Sequence, residues 1–204
     1  FAMLTGVTKF GKVSVFSDLN NLKDISLDNR YYNLCGIDEG ELHGVFEPYV
    51  QCLADSQNIT LDKAYSELKR NYDGYHFSKN MVGMYNPFSL LNAFDSLEIG
   101  SYWFETGTPS YLVELLKRHD FKLDELKGNK VTANVLSAID ASSSNPISVI
   151  FQSGYLTISG YNERYKLYSL DFPNEEVREG FMLYLMPYYT SVSANKTGFQ
   201  ISCF

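Results

Sequence analysis

Thr5 is the first side chain whose type and position could serve chemistry. It ends a short apolar run, residues 1–4, and a glycine follows it, which is typical of a strand buried on both faces of a parallel sheet. Open sheets of this kind bind ligands at the carboxyl ends of their strands, so Thr5 could face a ligand, and Lys9 is a second candidate nearby. The alternative is an ordinary strand-to-loop turn followed by a solvated lysine.

Two Glu-x-Lys triplets, Glu67-Leu68-Lys69 and Glu125-Leu126-Lys127, contain residue types used by metal-dependent nucleases. That chemistry needs the glutamate and the lysine on one face of a strand. Glu67 and Lys69 instead fall in a helical pattern, in which residues two apart point in different directions. We therefore interpret this triplet as part of a solvated helix face.

The turn Tyr72-Asp73-Gly74-Tyr75-His76-Phe77 is unusually rich in aromatic residues. It allows two interpretations: a tight turn fixed between aromatic anchors, which we favour, or a functional role for Asp73. His43, His76 and His119 are isolated from one another and from any cysteine, so we interpret each as a surface or partly buried polar residue.

The charge distribution argues against nucleic-acid binding. The net charge is −7, and no segment has the excess of Lys and Arg that phosphate contact requires. Three cysteines at unrelated spacings argue against a disulfide framework or a zinc site and favour a cytosolic protein. No apolar run approaches the ~18 residues of a transmembrane helix.

Hydrophobic periodicity predicts a mainly helical chain. The spacing predicts one helix over about residues 38–55, begun by a capping arrangement of Asp38 and Glu41, and a second that begins at Thr60 and ends near residues 71–74. Asn86-Pro87 and Thr108-Pro109 each place a capping side chain before a proline, and predict helices over roughly residues 87–97 and 109–118. We expect broken helices over residues 120–150.

The pattern changes near residue 147. Residues 147–151 predict a short apolar helix that stops at Gly154, and residues 155–159 and 165–170 alternate as the strands of a hairpin with its turn at 160–164. We expect Asn174 to cap a last helix that ends at Pro187. This order of helix, hairpin and helix is typical of a winged-helix unit.

Neither Gly-x-x-x-x-Gly-Lys-Ser/Thr nor Gly-x-Gly-x-x-Gly occurs in the chain, so we expect no phosphate-binding loop in it. Seven segments, in order between residue 1 and about residue 190, nevertheless resemble the predicted AAA-ATPase-like proteins of gut anaerobes and related bacteria. The segments are Leu4-Thr5-Gly6-Val7-Thr8-Lys9-Phe10, Val15-Phe16-Ser17-Asp18-Leu19-Asn20-Asn21-Leu22, Tyr72-Asp73-Gly74-Tyr75-His76-Phe77, Tyr85-Asn86-Pro87-Phe88-Ser89-Leu90-Leu91, Tyr102-Trp103-Phe104-Glu105-Thr106-Gly107-Thr108-Pro109, Gln152-Ser153-Gly154-Tyr155-Leu156 and Phe172-Pro173-Asn174-Glu175-Glu176-Val177-Arg178.

That family couples an N-terminal P-loop ATPase to a C-terminal PD-(D/E)xK nuclease-like domain. The resemblance implies that residues 1–30 are a remnant of the ATPase core, with Thr5 and Lys9 at the position that senses the γ-phosphate. It implies a helical lid over residues 31–140, a winged helix over 141–190, and a linker toward a missing C-terminal domain over 191–204. The fold class that we expect is therefore mainly α: a helical lid followed by a winged-helix unit, with a remnant core strand of an α/β ATPase.

We accordingly expect a fragment that couples the nucleotide state of an absent P-loop core to a downstream effector. The parent would be a bacterial, cytoplasmic ATPase that binds ATP and Mg²⁺, whereas the fragment would be inactive and would hold no cofactor. Expected partners are the missing core, the nuclease-like domain and a second copy joined through the N-terminal strand, with neither nucleic acid nor membrane. The alternative is a nucleotide-independent winged-helix module that binds protein or DNA.

Overall fold

The structure, a computed structural model, describes residues 23–106, 114, 116, 128–137 and 146–189. Within them the fold is mainly helical, with a small three-stranded antiparallel sheet. The expected core strand within residues 1–10 and the expected linker over residues 191–204 lie outside the described residues.

The elements of the described part follow one another in a simple order, four helices, then the sheet and the helices packed on it. They are α1 (Glu39–Gly44), α2 (Glu47–Gln57), α3 (Leu61–Tyr72), α4 (Pro87–Ser96), a 3₁₀ helix (Trp103–Thr106), β1 (Lys130–Val131), α5 (Ala133–Leu136), α6 (Ile147–Gln152), β2 (Thr157–Asn162), β3 (Leu167–Asp171) and α7 (Glu175–Tyr189).

The start of α1 is the predicted capping box. The Asp38 carboxylate accepts a hydrogen bond from the Glu41 N–H at 2.8 Å, and the Glu41 carboxylate accepts one from the Asp38 N–H at 3.0 Å. The prediction of one continuous helix from residue 38 to 55 is wrong, because the chain leaves α1 after Gly44 and begins α2 at Glu47. Pro48 has no N–H to donate to the Gly44 carbonyl, so it fits the first turn of a new helix and not the middle of a long one.

The next two helices begin where their capping residues predict. Thr60 Oγ1 accepts a hydrogen bond from the Lys63 N–H at the start of α3, and Asn86 Oδ1 accepts one from the Phe88 N–H at the start of α4. The helix predicted over residues 109–118 lies outside the described residues, except for Glu114 and Leu116, which are helical.

The first core lies among α1–α4 and is built from the predicted helix stripes. Burying these side chains stabilises the fold by roughly 25 cal/mol per Å² of apolar surface removed from water. The buried side chains are Ile37, Leu42, Val50, Leu53, Ala54, Ala64, Leu68, Tyr72, Tyr85, Leu90, Ala93 and Phe94.

The sheet has the strand order β1-β3-β2, with both pairs antiparallel. The predicted hairpin is confirmed, but its turn lies at residues 163–166 and not at 160–164. An irregularity between Ile158 and Gly160 lets β2 continue through the glycine to Asn162, and the turn ends on Lys166 at a φ of 54°. The two-residue strand β1 lies in the region where the sequence predicted broken helices. It pairs with β3 although it precedes residue 141, where the winged helix was expected to begin.

The second core lies between the sheet and helices α5, α6 and α7. The predicted apolar helix is confirmed as α6, and Asn174 Oδ1 accepts a hydrogen bond from the Val177 N–H in the first turn of α7. The expected end of α7 at Pro187 is wrong, since the helix continues to Tyr189. The buried side chains of this core are Phe104, Leu116, Val131, Leu136, Ile147, Ile150, Leu156, Ile158, Tyr168, Leu170 and Phe181.

Candidate functional site

The aromatic turn of residues 72–77, here called the joint segment, runs from the first core to the second. Tyr72 is fully buried in the first core, and its hydroxyl donates to the Gly100 carbonyl at 2.8 Å. Tyr75 pairs through its backbone with Met84 and then reaches the second core. The joint segment therefore connects the two cores.

Gly74 sets the direction of the joint segment. Its φ is +102°, in the region that favours glycine, and a Cβ built on it would lie 2.0 Å from the Pro173 carbonyl oxygen. That oxygen belongs to the backbone just before α7. The joint segment and the start of α7 thus approach each other as closely as two backbones can, and only a residue without a side chain fits between them.

Tyr75 carries the joint segment into the second core. Its hydroxyl donates to the Gly154 carbonyl at 3.2 Å, just after α6. Burial raises the pKa of Tyr75 well above its usual value near 10, so the hydroxyl stays protonated and remains a donor at all ordinary pH values. Tyr75 also stacks with Phe77, with 6.3 Å between the ring centroids.

His76 covers the outer edge of strand β2. Its N–H donates to Thr157 Oγ1 at 2.7 Å, and its Nδ1 lies 2.8 Å from the Ile158 carbonyl oxygen. Because a carbonyl oxygen only accepts, Nδ1 carries a proton in this contact. These bonds satisfy groups on an edge strand that would otherwise be open to another chain. The spacing alone offered no sign of this role, since the partners are 81 and 82 residues apart in the chain.

Asp73 belongs to the charged surface of the first core. Its Oδ2 lies 3.7 Å from Lys69 Nζ, and Lys69 also pairs with Glu39 at 2.8 Å. Its Oδ1 is buried without a hydrogen-bond partner among the described residues, against the backbone of Gly83. Lys69 thus lies between the carboxylates of Asp73 and Glu39, an arrangement that fits a structural ion-pair cluster.

Glu176, in the first turn of α7, is a buried carboxylate whose role was not predicted from the sequence. It is 3% exposed and accepts hydrogen bonds from the N–H groups of Tyr102 and Trp103, at 2.7 and 2.9 Å. Burial raises the pKa of Glu176, and the two backbone donors and the Ser89 hydroxyl oppose that rise. The carboxylate ties the first turn of α7 to the start of the 3₁₀ helix.

Two surface ion pairs also cross between the cores. Arg70 on α3 contacts Glu175 on α7 at 3.2 Å, and Lys79 contacts Glu163 in the hairpin turn at 3.1 Å. Exposed pairs of this kind contribute ~0–1 kcal/mol each. These charges therefore add little to the partly buried hydrogen bonds of Tyr75 and His76 that cross between the cores.

A cavity of about 460 Å³ lies beside the joint segment. Tyr75, His76 and Phe77 line one side, and residues 25–35, the end of α6 and Trp103 line the others. No Lys, Arg, Asp or Glu is present among the described residues that line it. Its size is within the range of small-ligand sites, ~300–1,000 Å³.

The two proposed ligand-facing residues, Thr5 and Lys9, lie outside the described residues, as do His119 and the triplet Glu125-Leu126-Lys127. His43 stacks on Tyr65, with 4.0 Å between the ring centroids, which fits its interpretation as a surface polar residue.

The first Glu-x-Lys triplet is helical, as predicted. Glu67 pairs with Lys63 and Arg70 on its own helix, whereas Lys69 points to Glu39. The two side chains therefore do not converge on one site.

Among the described residues, no group of three or more His, Cys, Asp and Glu side chains could hold a metal ion. The nearest approach to a phosphate-binding loop in the sequence is Gly6-Val7-Thr8-Lys9-Phe10-Gly11-Lys12, where Val13 replaces the hydroxyl residue that binds Mg²⁺. This segment therefore lacks the hydroxyl residue through which such a loop binds Mg²⁺. In the part of the chain that the structure describes, no helix is both long and apolar enough to cross a bilayer.

The chain is similar to an uncharacterized protein in the vnfD 5' region of Azotobacter chroococcum mcd 1, with 41% identity over 201 residues. The match covers 94% of this chain and 36% of that protein, so the chain spans little more than a third of the length of the relative. No family model and no solved structure matches the chain.

Proposed function

We propose that this chain is the helical lid and winged-helix portion of an AAA-ATPase-like protein, and that it passes the nucleotide state of a P-loop core to a downstream effector. The joint segment carries this proposal, because Tyr75 and His76 connect the two cores through partly buried hydrogen bonds to Gly154, Thr157 and Ile158. The ATPase activity, the cofactors ATP and Mg²⁺, and the cytoplasmic location belong to the proposed longer protein. The N-terminal P-loop core and the C-terminal nuclease-like domain are its proposed partners.

The topology of the second core supports the winged-helix assignment. Helical residues at 114 and 116 are followed by β1, α5, α6 and then the β2–β3 hairpin, and β1 pairs with the last strand to give the order β1-β3-β2. A winged helix has this order of helix, strand, two helices and hairpin. The proposed unit then begins before residue 141, since β1 belongs to its sheet.

The first core and the position of the joint segment support the lid assignment. Helices α1–α4 form a separate hydrophobic cluster, and the joint segment leaves that cluster directly after α3. Lids that close over a ligand act by rigid-body movement about a few terminal residues. Here Gly74 and its neighbours would transmit that movement to α7 and to the edge of β2.

Isothermal titration with Mg-ATP tests where the nucleotide binds. The 204-residue chain is expected to give no heat of binding up to millimolar nucleotide, because it lacks a complete amide cradle with its lysine and hydroxyl residue. A longer protein with Gly-Lys-Ser/Thr upstream is expected to bind at micromolar concentration. Micromolar binding by the short chain that Lys12→Ala abolishes would contradict the proposal and place the site at residues 6–12.

The second candidate is a nucleotide-independent winged-helix module that binds a protein or DNA. A protein is the better partner, because Tyr165 in the hairpin turn is 62% exposed, with Arg164 over its ring at 5.3 Å. DNA is disfavoured because α6, the helix before the hairpin, has no basic residue and no fully exposed position. Salt-sensitive gel shifts with mixed DNA duplexes at low micromolar protein would reverse that preference.

A further inference from the structure

The cavity beside the joint segment has aromatic walls. Tyr75 and Phe77 stand nearly parallel on one side, with 11° between their ring planes. Trp103 closes another side, where a Cβ on Gly154 would lie 3.3 Å from the indole ring. Flat, rigid walls of this kind favour a flat ligand, since aromatic pairs gain about 0.5–1.5 kcal/mol beyond their buried area.

The polar groups of the cavity are largely occupied within the protein. The Tyr75 hydroxyl donates to the Gly154 carbonyl, and the Gln152 amide donates to the Leu136 carbonyl at 2.9 Å. The backbone N–H and the ring Nδ1 of His76 both form hydrogen bonds to strand β2. The ring atom of His76 that these bonds leave over is Nε2. Because Nδ1 donates to the Ile158 carbonyl, Nε2 is the ring nitrogen left to accept a hydrogen bond from a ligand.

The absence of charge among the described lining residues limits what can enter. An ion moved from water into this space would lose hydration without gaining a counter-charge, which costs far more than burying an uncharged ring. We propose that this cavity binds an uncharged aromatic compound carrying one hydrogen-bond donor, held between the rings of Tyr75, Phe77 and Trp103. The ligand would contact both cores at once.

Three compounds with the same naphthalene ring and different charges test the charge requirement on the intact 204-residue chain. The probes are 2-naphthol, which is uncharged at pH 7, the anion 2-naphthoate and the cation of 2-naphthylmethylamine, each titrated by calorimetry. We expect 2-naphthol to bind at least tenfold more tightly than either ion. Equal affinity for the three probes, or no binding of 2-naphthol, would overturn the proposal. An absence of 2-naphthol binding is also expected if residues 1–22 of this chain fill the cavity.

Two exposed cysteines provide a matched control for the location of the ligand-binding site. Cys35 lines the cavity, whereas Cys52 lies on α2 away from it. In a chain with Cys52→Ser and Cys203→Ser, a benzylthio group attached to Cys35 is expected to weaken 2-naphthol binding at least tenfold. The same group on Cys52, in a chain with Cys35→Ser and Cys203→Ser, is expected to leave it unchanged. The proposal fails if both modified proteins retain binding, or if both lose it while their circular dichroism stays unchanged.

Discussion

Gly74 is the residue on which the connection between the cores depends most directly. Its positive φ and the 2.0 Å approach of a built Cβ to the Pro173 oxygen leave no place for a side chain. The neighbouring atom is backbone, so it cannot move aside as the end of a flexible side chain could. The sequence marked this residue only as part of a turn.

Gly74→Ala is expected to lower the free energy of unfolding by at least ~2 kcal/mol, because it adds left-handed strain to a backbone clash. Urea denaturation followed by Trp103 fluorescence measures the loss. Gly44→Ala is the matched control, since a Cβ at Gly44 meets nothing within 4 Å and the position ends α1. If the two variants are equally stable, the close contact at Gly74 is not present in solution.

Glu176 gives the stability of the chain a pH dependence of known sign. Its pKa is raised above the ordinary 4.5 in the folded state, so the native chain holds this proton more tightly than the unfolded chain. The stability that Glu176 contributes is therefore fully present below about 4.5 and is lost as the pH rises through the raised pKa.

Glu176→Gln is expected to remove that dependence and to be at least as stable as the wild type at pH 7. The amide oxygen can still accept from the N–H groups of Tyr102 and Trp103, and the cost of a buried charge is absent. Urea midpoints between pH 4 and pH 8 measure the effect. Glu179→Gln at an exposed position of α7 serves as the control, and a parallel pH profile for wild type and Glu176→Gln would count against the argument.

At the scale of elements, local capping determined what the sequence could predict. Asp38, Thr60, Asn86 and Asn174 each hydrogen-bond within three residues, and the four helices begin where the sequence placed their starts. The gap before α2, the two-residue strand β1 and the shifted hairpin turn were not predicted, because each depends on a single backbone feature or on a distant partner.

The candidate site was predictable only in part, for the same reason. The aromatic turn was recognised as a structural anchor, which its contacts with Gly154, Thr157 and Ile158 support. Those partners are about eighty residues away in the chain, so no local pattern could identify them. The role of Glu176 could not be predicted for the same reason, since its backbone partners lie 73 and 74 residues away in the chain.

Removing residues 1–10 tests the prediction of an orphaned N-terminal strand. We expect α1–α4 and the sheet with its helices to fold on the two described cores without that strand, so the melting temperature is expected to change little. Self-association seen by sedimentation is expected to fall, because an apolar strand with unpaired edges pairs with another chain. Unfolding of α1–α4 on deletion would mean that residues 1–10 belong to a sheet within this chain.

At the scale of the whole molecule, two hydrophobic cores are joined at three kinds of contact. The joint segment connects α3 to α7 and β2, Glu176 connects α7 to the 3₁₀ helix, and two surface ion pairs cross between them. The cores are small, so each gains stability from the other. In the proposed function, a movement of α1–α4 would reach the sheet through these contacts.

Hydrogen exchange in the longer protein, with and without Mg-ATP, tests this coupling most directly. The account predicts that nucleotide slows exchange in α3 and in the β2–β3 hairpin of the wild type, and that in the Gly74→Ala variant only the change in the hairpin is lost. The Gly44→Ala variant should behave as the wild type does. If nucleotide leaves the hairpin unchanged in the wild type, or if Gly74→Ala changes α3 and the hairpin equally, the two cores do not pass the nucleotide state from one to the other.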